Sequence, residues 1–306
     1  MKELNERDIK RSRVLGLKPL AARLLATRPI NVLARRAMRA AGPKARLRLP
    51  LSFPLVEYRD GGVSLLLAEP DVDMVARDVF WGGGKPQARA DARLLRTVEL
   101  LCAGECTFLD IGSYDGIFAL VAARSSEQAR AIAFEIVPEN FLLIWRNIIG
   151  NDLASRVDAR LLGIADNQGT MRMPARLGLS SLASSMSIGS RFQSGVAVPL
   201  DTLDNVVPDV AGALVIKIDV EGFEAAVFRG GAETLRRLRP DIICEFLPAA
   251  TEIDAIEALL KPLGYRFFQS LPEEFQENPH IVPSRAGWNW LLTCRPDAEA
   301  LIARAG

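Results

Sequence analysis

The hydrophobic pattern predicts strands and helices in regular alternation from about residue 107 onward. Strand-like apolar runs occupy 107–110, 130–135 and 156–162, and apolar residues at helical spacing follow the first two runs, over 117–124 and 138–149. Strands that alternate with helices form right-handed βαβ units. The pattern therefore predicts an α/β, doubly wound fold with a mostly parallel sheet and helices on both of its faces.

The alternation pauses at a polar stretch rich in serine and glycine over 166–195 and resumes with 213–220, the most strand-like run in the chain. The remaining predicted elements are a helix over 223–238, a strand over 241–245, a helix over 251–263, and strands over 265–268 and 288–294. The last two strands have no long helix between them, so they can pair antiparallel at the sheet edge. We expect the polar stretch to help shape a substrate pocket, because structureless loops of this length are uncommon in compact domains and are usually functional.

The segment before the sheet has a different pattern of apolar and polar residues. A hairpin around Gly61-Gly62 is predicted over 54–67, and helices separated by three glycines are predicted over 70–101. Residues 1–50 carry apolar residues at helical spacing between prolines, which predicts a helical or flexible arm. The expected organisation is this arm followed by one domain over 51–306, whose lead-in ends at about residue 101.

The charge of the arm stands out against a nearly neutral chain. The protein has 306 residues with a formal net charge of +1, yet residues 1–50 contain fourteen Lys and Arg against three acidic residues. Such an arm either docks on an anionic membrane, a polyanionic glycan or a nucleic acid, or forms a solvated extension or helical cover of the main domain. Both interpretations stay open at this level.

The composition is that of a globular chain, with 49% hydrophobic and 25% charged residues. No apolar stretch approaches the ~18 residues of a membrane span, and the N-terminal segment lacks the apolar core of a secretory signal. We therefore expect a cytoplasmic protein, in which the basic arm would mediate any peripheral attachment to the inner membrane surface.

Cysteine and histidine usage disfavours several kinds of chemistry. The four cysteines form no CxxC pair, which argues against a disulfide framework and against a zinc site. His280 is the single histidine, so a Ser-His, Cys-His or multi-histidine metal site would have to use it. Most hydrolase mechanisms are therefore disfavoured.

The first chemical motif is Asp110-Ile-Gly112-Ser-Tyr114-Asp-Gly116, a strand that turns through two glycines into a helix. In doubly wound folds the first strand-to-helix turn approaches a nucleotide-like cofactor. Glycines also occur in such turns for purely steric reasons. Glu135 strengthens the functional interpretation, because it ends the next strand, where a carboxylate can accept hydrogen bonds from the two ribose hydroxyls.

The identity of the cofactor depends on the residue between these glycines. A dinucleotide needs the middle glycine of G-x-G-x-x-G so that the backbone can meet the pyrophosphate, and this chain has Tyr114 at that place. S-adenosylmethionine has a ribose and an adenine but no pyrophosphate, so it tolerates the bulkier residue. The turn therefore favours S-adenosylmethionine over NAD.

The second chemical motif is Lys217-Ile-Asp219-Val-Glu221-Gly222. Its three charged residues alternate on one face at the carboxyl end of a strand, where they are costly unless they pair with each other or bind something. Glu245 ends the next strand and is expected to point into the same crevice. The motif is either a binding or catalytic site or a structural ion-pair cluster.

Over about residues 78–295 the chain resembles the FkbM-type methyltransferases. The resembling segments are Asp110-Ile-Gly-x-x-x-Gly116, Ala133-Phe-Glu135, Asn147, Ser180-Ser181, Lys217-Ile-Asp-Val-Glu-Gly222 and Arg239-Pro-Asp-Ile-Ile-Cys-Glu245. The resemblance implies a class I, Rossmann-like methyltransferase fold, for which we expect a seven-stranded sheet with an antiparallel last strand. It also implies an S-adenosylmethionine-dependent enzyme that O-methylates a hydroxyl of a sugar, glycan or other natural product. The basic arm lies outside the resemblance.

The motifs and the resemblance together assign a cofactor site. Its expected members are Asp110, Gly112, Tyr114, Gly116, Glu135, Asp166 and Asp219. The family more often has Ala-Asn and an apolar residue where this chain has Ser-Tyr-Asp, so we expect the cradle for the methionine end of the cofactor to differ.

Methyl transfer to an alcohol also needs a base that removes the proton of the hydroxyl group. We favour Asp219 or Glu245 as this base, with Lys217 as a further catalytic residue, over His280, which lies in a proline-flanked loop. Asp219, Glu221 and Glu245 are in addition candidate oxygen ligands for Mg²⁺.

Three other functions compete with this interpretation. An NAD-dependent sugar-modifying oxidoreductase is disfavoured by Tyr114. A nucleic-acid methyltransferase would use the basic arm, but the arm has few aromatic residues and the chain has no Pro-Pro pair. A non-catalytic scaffold is disfavoured by the intact set Gly112, Glu135, Asp219 and Glu221. The expected partner is therefore a small-molecule or glycan acceptor, and nucleic acid is disfavoured as a partner.

Overall fold

The computed structural model describes residues 27–41, 49–174, 195–248 and 250–306. The chain divides between Pro54 and Leu55 into two compact units. In the first unit, helix α1 spans Arg28–Ala41, so this segment of the arm is helical. The other helical pattern of the arm, around residues 17–25, lies outside the described residues.

A hairpin and two helices lead into the main sheet, as predicted. Strands β1 (Leu55–Asp60) and β2 (Val63–Ala68) pair antiparallel around the two glycines. Helices α2 (Met74–Gly82) and α3 (Arg89–Leu101) follow, separated by the expected glycine break.

The rest of the second unit alternates between strands and helices. The strands are β3 (Cys106–Ile111), β4 (Ala129–Glu135), β5 (Val157–Leu161), β6 (Gly163–Ala165), β7 (Gly169–Met173), β8 (Val196–Thr202), β9 (Ala213–Ile218), β10 (Asp241–Glu245), β11 (Arg266–Ser270), β12 (Phe275–Asn278) and β13 (Asn289–Thr293). The helices are α4 (Ile117–Ser125), α5 (Pro138–Gly150), α6 (Leu203–Val206), α7 (Glu224–Gly230), α8 (Ala232–Leu238), α9 (Ile253–Leu260) and α10 (Ala298–Ala305), with a 3₁₀ turn at Lys261–Leu263. The C-terminal helix α10 was not predicted.

The main sheet has the strand order β12-β11-β13-β10-β9-β3-β4-β5. Strands β10, β9, β3, β4 and β5 run parallel to their neighbours in this order, while β13 pairs antiparallel with both β10 and β11. This is the doubly wound, mostly parallel sheet that the sequence predicts, and it has the class I, Rossmann-like topology.

The sheet has one strand more than the seven expected. Strand β12 pairs antiparallel with β11 at the edge of the sheet. It is four residues long, and only its first residue, Phe275, is buried. A strand this short, with one apolar residue, has no periodicity that a sequence pattern could reveal.

Strand β3, inside the sheet, shows why helices cover both faces. All six residues of β3 are buried, and successive side chains of a strand point to opposite faces. Leu109 and Ile111 join a core with Phe228 of α7. The carboxylate of Asp110 faces the other way and accepts a hydrogen bond of 3.2 Å from the backbone N–H of Ala119 on α4.

A second, three-stranded sheet was not predicted. It has the order β6-β8-β7, and β7 lies inside the polar stretch that the sequence presents as a connection. The middle of that stretch, residues 175–194, lies outside the described residues, and with it the Ser180-Ser181 element of the family resemblance.

The helix expected over 223–238 is two helices, α7 and α8, that meet at Gly230 and Gly231. A Cβ atom on Gly230 would lie 2.0 Å from the carbonyl oxygen of Ala165. The end of α7 therefore packs directly on β6, which only glycine permits at this distance.

Within the described residues, no helix is both long and apolar enough to cross a membrane.

Candidate functional site

A cleft opens at the carboxyl ends of β3, β4 and β9. Its lining residues are Ile111, Gly112, Tyr114, Phe134, Glu135, Ile136, Val137, Asn140, Leu162, Gly163, Ile164, Asp219, Val220 and Glu221. Doubly wound folds bind their ligands at this end of the sheet. The two chemical motifs of the sequence, at 110–116 and 217–222, therefore meet at one cleft.

The first turn depends on glycine because two loops touch there. Gly112 has φ 81°, and a Cβ atom on it would lie 1.9 Å from the backbone carbonyl oxygen of Asp219. The N–H groups of Gly112 and Ser113 donate to the carbonyl oxygen of Phe134 at 3.0 and 3.1 Å. The turn after β3 is thereby fixed against both the end of β9 and the end of β4.

Glu135 forms one corner of the cleft. Its Oε2 accepts a hydrogen bond from the N–H of Tyr114 at 2.8 Å, and its Oε1 accepts from the N–H groups of Ile136 (2.7 Å) and Val137 (2.8 Å). Burial raises the pKa of Glu135 to about 7. The three N–H donors act in the opposite direction, because they favour the charged form, but burial has the larger effect. The carboxylate therefore organises the backbone of the corner as well as facing the cleft.

Asn140 completes this corner, and the sequence motifs did not include it. Its side chain hydrogen-bonds the carboxylate of Glu135. It is 4% exposed, and its Oδ1 atom is buried without a hydrogen-bond partner. Buried polar atoms are normally satisfied, so an orphaned acceptor beside a cleft fits a ligand that brings a donor. Its place in the first turn of α5, after Pro138 and Glu139, was the available sequence signal.

Tyr114 ties the turn to the lead-in helices. It has φ 55°, and its hydroxyl accepts a hydrogen bond from the N–H of Met74 at 3.3 Å. The hydroxyl also hydrogen-bonds the carboxylate of Asp73, the N-cap of α2, and burial raises the pKa of Asp73 to about 6. The side chain of Tyr114 therefore anchors the turn in addition to lining the cleft.

Lys217 and Asp219 form an ion pair at the end of β9. The ammonium Nζ of Lys217 lies 3.0 Å from Oδ2 of Asp219 and 4.8 Å from the ring centroid of Phe118. Burial on its own would lower the pKa of Lys217, but the negative charges of Asp219 and then Asp110 outweigh it and raise this pKa. The pair therefore stays charged although the side chain of Lys217 is only 5% exposed.

Glu245 donates a hydrogen bond to the Asp219 carboxylate of this pair. Burial, followed by the charge of Asp219, raises the pKa of Glu245 to about 9. Burial also acts to raise the pKa of Asp219, but Lys217 and a hydrogen bond from Glu245 lower it below its ordinary value. At neutral pH, Glu245 is thus the protonated donor and Asp219 the charged acceptor.

Asp219, Glu221 and Glu245 bring carboxylate oxygens within 4.8 Å of one another. Glu221 has φ 52°, and burial, followed by the charge of Asp219, raises its pKa to about 7. Three such oxygens are a donor set that Mg²⁺ accepts. The charge of Asp219 is already neutralised by Lys217, and Glu245 carries a proton. Most of the negative charge of the cluster is therefore compensated without a metal cation. The Mg²⁺ site stays a prediction.

Some residues assigned from the sequence lie away from the cleft. Asp110 is fully buried on the α4 face of the sheet, because it is one position out of phase with Ile111, and burial raises its pKa to about 6. Asp166 pairs with Arg229 at 3.1 Å and does not line the cleft. Gly116, with φ 82°, is the N-cap of α4, and a Cβ atom on it would lie close to the side chain of Ile144.

The single histidine lies apart from the lining of the cleft. His280 Nδ1 is 2.9 Å from Oε2 of Glu257 and 3.0 Å from Nζ of Lys261. Glu257 and Lys261 lie in and just after α9, so the imidazole belongs to a surface ion-pair cluster. Asn147 is likewise structural, since its amide bonds the backbone of Asp115 (2.9 Å) and of Ala68 (2.8 Å).

Comparison with known proteins gives one family match. Residues 110–267 match the family described as the methyltransferase FkbM domain. The methyltransferase sdnD of Sordaria araneosa is 27% identical over 207 residues, which cover 58% of this chain and 80% of that protein.

Solved structures of methyltransferases are also similar. The FkbM methyltransferase of Methylobacillus flagellatus aligns with a TM-score of 0.42 and 16% identity, over 62% of this chain and 44% of that one, so less than half of the longer protein is matched. An O-methyltransferase of Bacillus cereus in complex with SAH aligns with a TM-score of 0.37 and 14% identity, over 66% of this chain and 78% of that one.

Proposed function

The chain belongs to the FkbM methyltransferase domain family, and from this premise we propose that it transfers a methyl group from S-adenosylmethionine to a hydroxyl of a sugar, glycan or other natural product. The family makes the protein a methyltransferase. The donor, the acceptor and the oxygen as the methylated atom are the parts that we propose. The observation that carries them is that Glu135 and Asp219 line the same cleft.

The corner around Glu135 supports S-adenosylmethionine as the donor. A ribose carries two neighbouring hydroxyl donors, and this corner presents a carboxylate together with the orphaned Oδ1 of Asn140. The apolar lining beside it, from Ile136, Val137 and Leu162, suits the faces of an adenine ring. When bound, the cofactor supplies an electrophilic methyl group on a positively charged sulfur.

The charged carboxylate of Asp219 supports a hydroxyl acceptor. An alcohol must lose its proton as the new C–O bond forms, and a carboxylate within hydrogen-bond reach can take that proton. Glu245 is protonated at neutral pH because its pKa is about 9, so it does not take this role there. Of the two bases that the sequence leaves open, we therefore propose Asp219, held in orientation by Lys217 and Glu245.

The competing functions have less support. Family membership places the chain among methyltransferases and not among NAD-dependent oxidoreductases. In the cleft, Tyr114 occupies the turn that a dinucleotide would need to approach closely. No observation on the described residues favours a nucleic-acid acceptor.

Two measurements test the proposal. Titration calorimetry with S-adenosylmethionine and, separately, with NAD tests the donor, and binding of NAD alone would overturn it. A screen with methyl-labelled S-adenosylmethionine against monosaccharides, glycans, hydroxylated natural products and RNA then tests the acceptor. We expect label on a hydroxyl oxygen, identified by NMR of the product. Label on a nitrogen atom or on RNA would contradict the proposed acceptor class while leaving the donor in place.

A further inference from the structure

Helix α1 carries two large apolar side chains that are exposed to solvent. Leu33 is 63% exposed and Ile30 is 36% exposed, while Asn31 is fully buried. The amide of Asn31 donates to the backbone carbonyl oxygen of Pro50 at 3.2 Å. In a helix that only covers a globular core, the apolar stripe faces inward. In α1 the fully buried residue is an asparagine, whereas Leu33 and Ile30 are exposed to solvent.

The exposed residues form one continuous strip. Ile30, Leu33 and Ala37 are three and four positions apart, so they lie above one another on one face of the helix. We refer to these three residues as the apolar strip. The exposed Arg36 follows Leu33 by three positions and therefore borders the strip. The exposed Arg28 lies on the opposite side of the helix, 5.9 Å from the ring centroid of Phe53.

Charge decides which partner this surface fits. No acidic residue occurs between Ile9 and Val56, and residues 1–50 contain fourteen Lys and Arg. The helix surface therefore combines an exposed apolar strip with cationic side chains and no acidic ones. A complementary partner has negative charges at its surface and an apolar layer directly below them. A bilayer containing anionic lipids has this structure, because its phosphates lie directly above hydrocarbon. A nucleic acid offers the phosphates but no hydrocarbon layer for Leu33 and Ile30.

We propose that α1 is an interfacial helix that binds an anionic lipid bilayer, with the apolar strip inserted at the acyl boundary and the arginines at the level of the phosphates. This inference is independent of the proposed acceptor and of the cofactor. It assigns a surface of the first unit, whereas the proposed function concerns the cleft of the second.

The test uses the full-length chain and vesicles of defined composition. Co-sedimentation is measured with vesicles of phosphatidylcholine alone and with vesicles that contain about 30% phosphatidylglycerol, at low salt and at about 0.5 M salt. We expect binding to the anionic vesicles only, and weaker binding in high salt. Equal binding to both vesicles, or no binding to either, would overturn the proposal.

Three variants separate the contributions of the helix. Ile30→Gln with Leu33→Gln should weaken partitioning by at least about tenfold, since it removes most of the exposed apolar area. Arg36→Gln should weaken it about fivefold at low salt and little in high salt. The matched control is Leu142→Gln, because Leu142 is similarly exposed, at 56%, on a helix of the second unit. It should bind like the wild type.

The remaining outcomes would contradict the proposal. If the apolar-strip variant changes only the oligomeric state, measured by light scattering, the strip is an interface between copies of the chain. If that variant binds anionic vesicles as the wild type does, α1 contributes charge alone and does not insert. Thermal unfolding of each variant checks that the fold is intact, so a loss of binding can be assigned to the surface.

Discussion

The ammonium group of Lys217 lies 3.0 Å from the carboxylate of Asp219, and it links the interior of the sheet to the cleft. Lys217 is buried in the central strand β9, in register with Asp110 on β3, whereas Asp219 follows the strand and lines the cleft. The buried cation therefore fixes both the charge and the orientation of a carboxylate at the surface of the cleft.

The first prediction concerns this carboxylate. Asp219→Asn keeps the shape of the side chain but removes the charge that would take the proton of the acceptor. We expect turnover to fall by ~10²-fold or more, with a much smaller change in S-adenosylmethionine affinity. Because Lys217 loses its nearest counter-charge, the free energy of unfolding should also fall by about 1 to 3 kcal/mol. Single-turnover kinetics and urea unfolding provide the two measurements.

The control for this variant is Asp166→Asn, which neutralises an aspartate that pairs with Arg229 away from the lining of the cleft. It should leave turnover near the wild-type value. Near wild-type activity in Asp219→Asn would instead mean that Lys217 and Asp219 are a structural ion pair, and Glu245 would become the candidate base.

The second prediction concerns pH and stability at Glu245. Its pKa is raised from 4.5 to about 9, so between these values the folded protein keeps a proton that the unfolded chain has lost. The contribution of Glu245 to stability therefore falls as the pH rises through this window. Glutamine cannot titrate. The stability of Glu245→Gln relative to the wild type should then increase steadily with pH in urea unfolding, with exposed Glu127→Gln as the control. A difference that does not vary with pH would show that Glu245 is charged at neutral pH.

The third prediction concerns the contact between the two motifs. Gly112→Ala places a Cβ atom 1.9 Å from the carbonyl oxygen of Asp219 at a φ of 81°. We expect a loss of more than about 2 kcal/mol in stability, together with loss of cofactor binding. Gly104→Ala is the matched control, since a Cβ atom on Gly104 has no heavy atom within 4 Å. Equal thermal stability of the two variants would mean that the loops do not touch in solution.

The fourth prediction concerns Glu135, at the corner of the cleft where we propose that the ribose binds. Glu135→Ala should weaken S-adenosylmethionine binding by about 1 to 3 kcal/mol, the scale of hydrogen bonds to a charged acceptor. It should also lower the melting temperature, because three backbone N–H groups lose their acceptor. Exposed Asp158→Ala on the neighbouring strand β5 should do neither. Calorimetry showing an unchanged affinity would remove Glu135 from the cofactor site.

The fifth prediction separates anchoring of the turn from stability in general. Tyr114→Phe removes a hydroxyl that bonds Met74 and Asp73, and Tyr265→Phe removes a hydroxyl that donates to the carbonyl oxygen of Pro240 at 2.8 Å, outside the cleft. Each should lose about 1 kcal/mol of stability. Only Tyr114→Phe should also weaken S-adenosylmethionine binding. If both variants bind the cofactor as the wild type does, the hydroxyl of Tyr114 does not position the turn.

The sequence by itself determined the strands β3, β4 and β9, whose ends form the cleft, and the residues at those ends. Periodicity is a local property, so the apolar run of β3 and the glycines after it are visible without any knowledge of what packs against them. Parallel strands also bring their carboxyl ends to one edge of a sheet. For that reason Gly112, Glu135 and Asp219 could be expected at one cleft although they are far apart in the chain.

The tertiary structure alone decided which way individual side chains face and where the protons lie. Asp110 belongs to the same motif as Gly112, but the pleat of β3 turns its carboxylate toward α4. The assignment of the proton to Glu245 depends on burial and on the distance to Asp219, neither of which a linear pattern contains. The orphaned oxygen of Asn140 is likewise a property of the folded chain. These properties arise from contacts through space, whereas a sequence motif records only the order of residues along the chain.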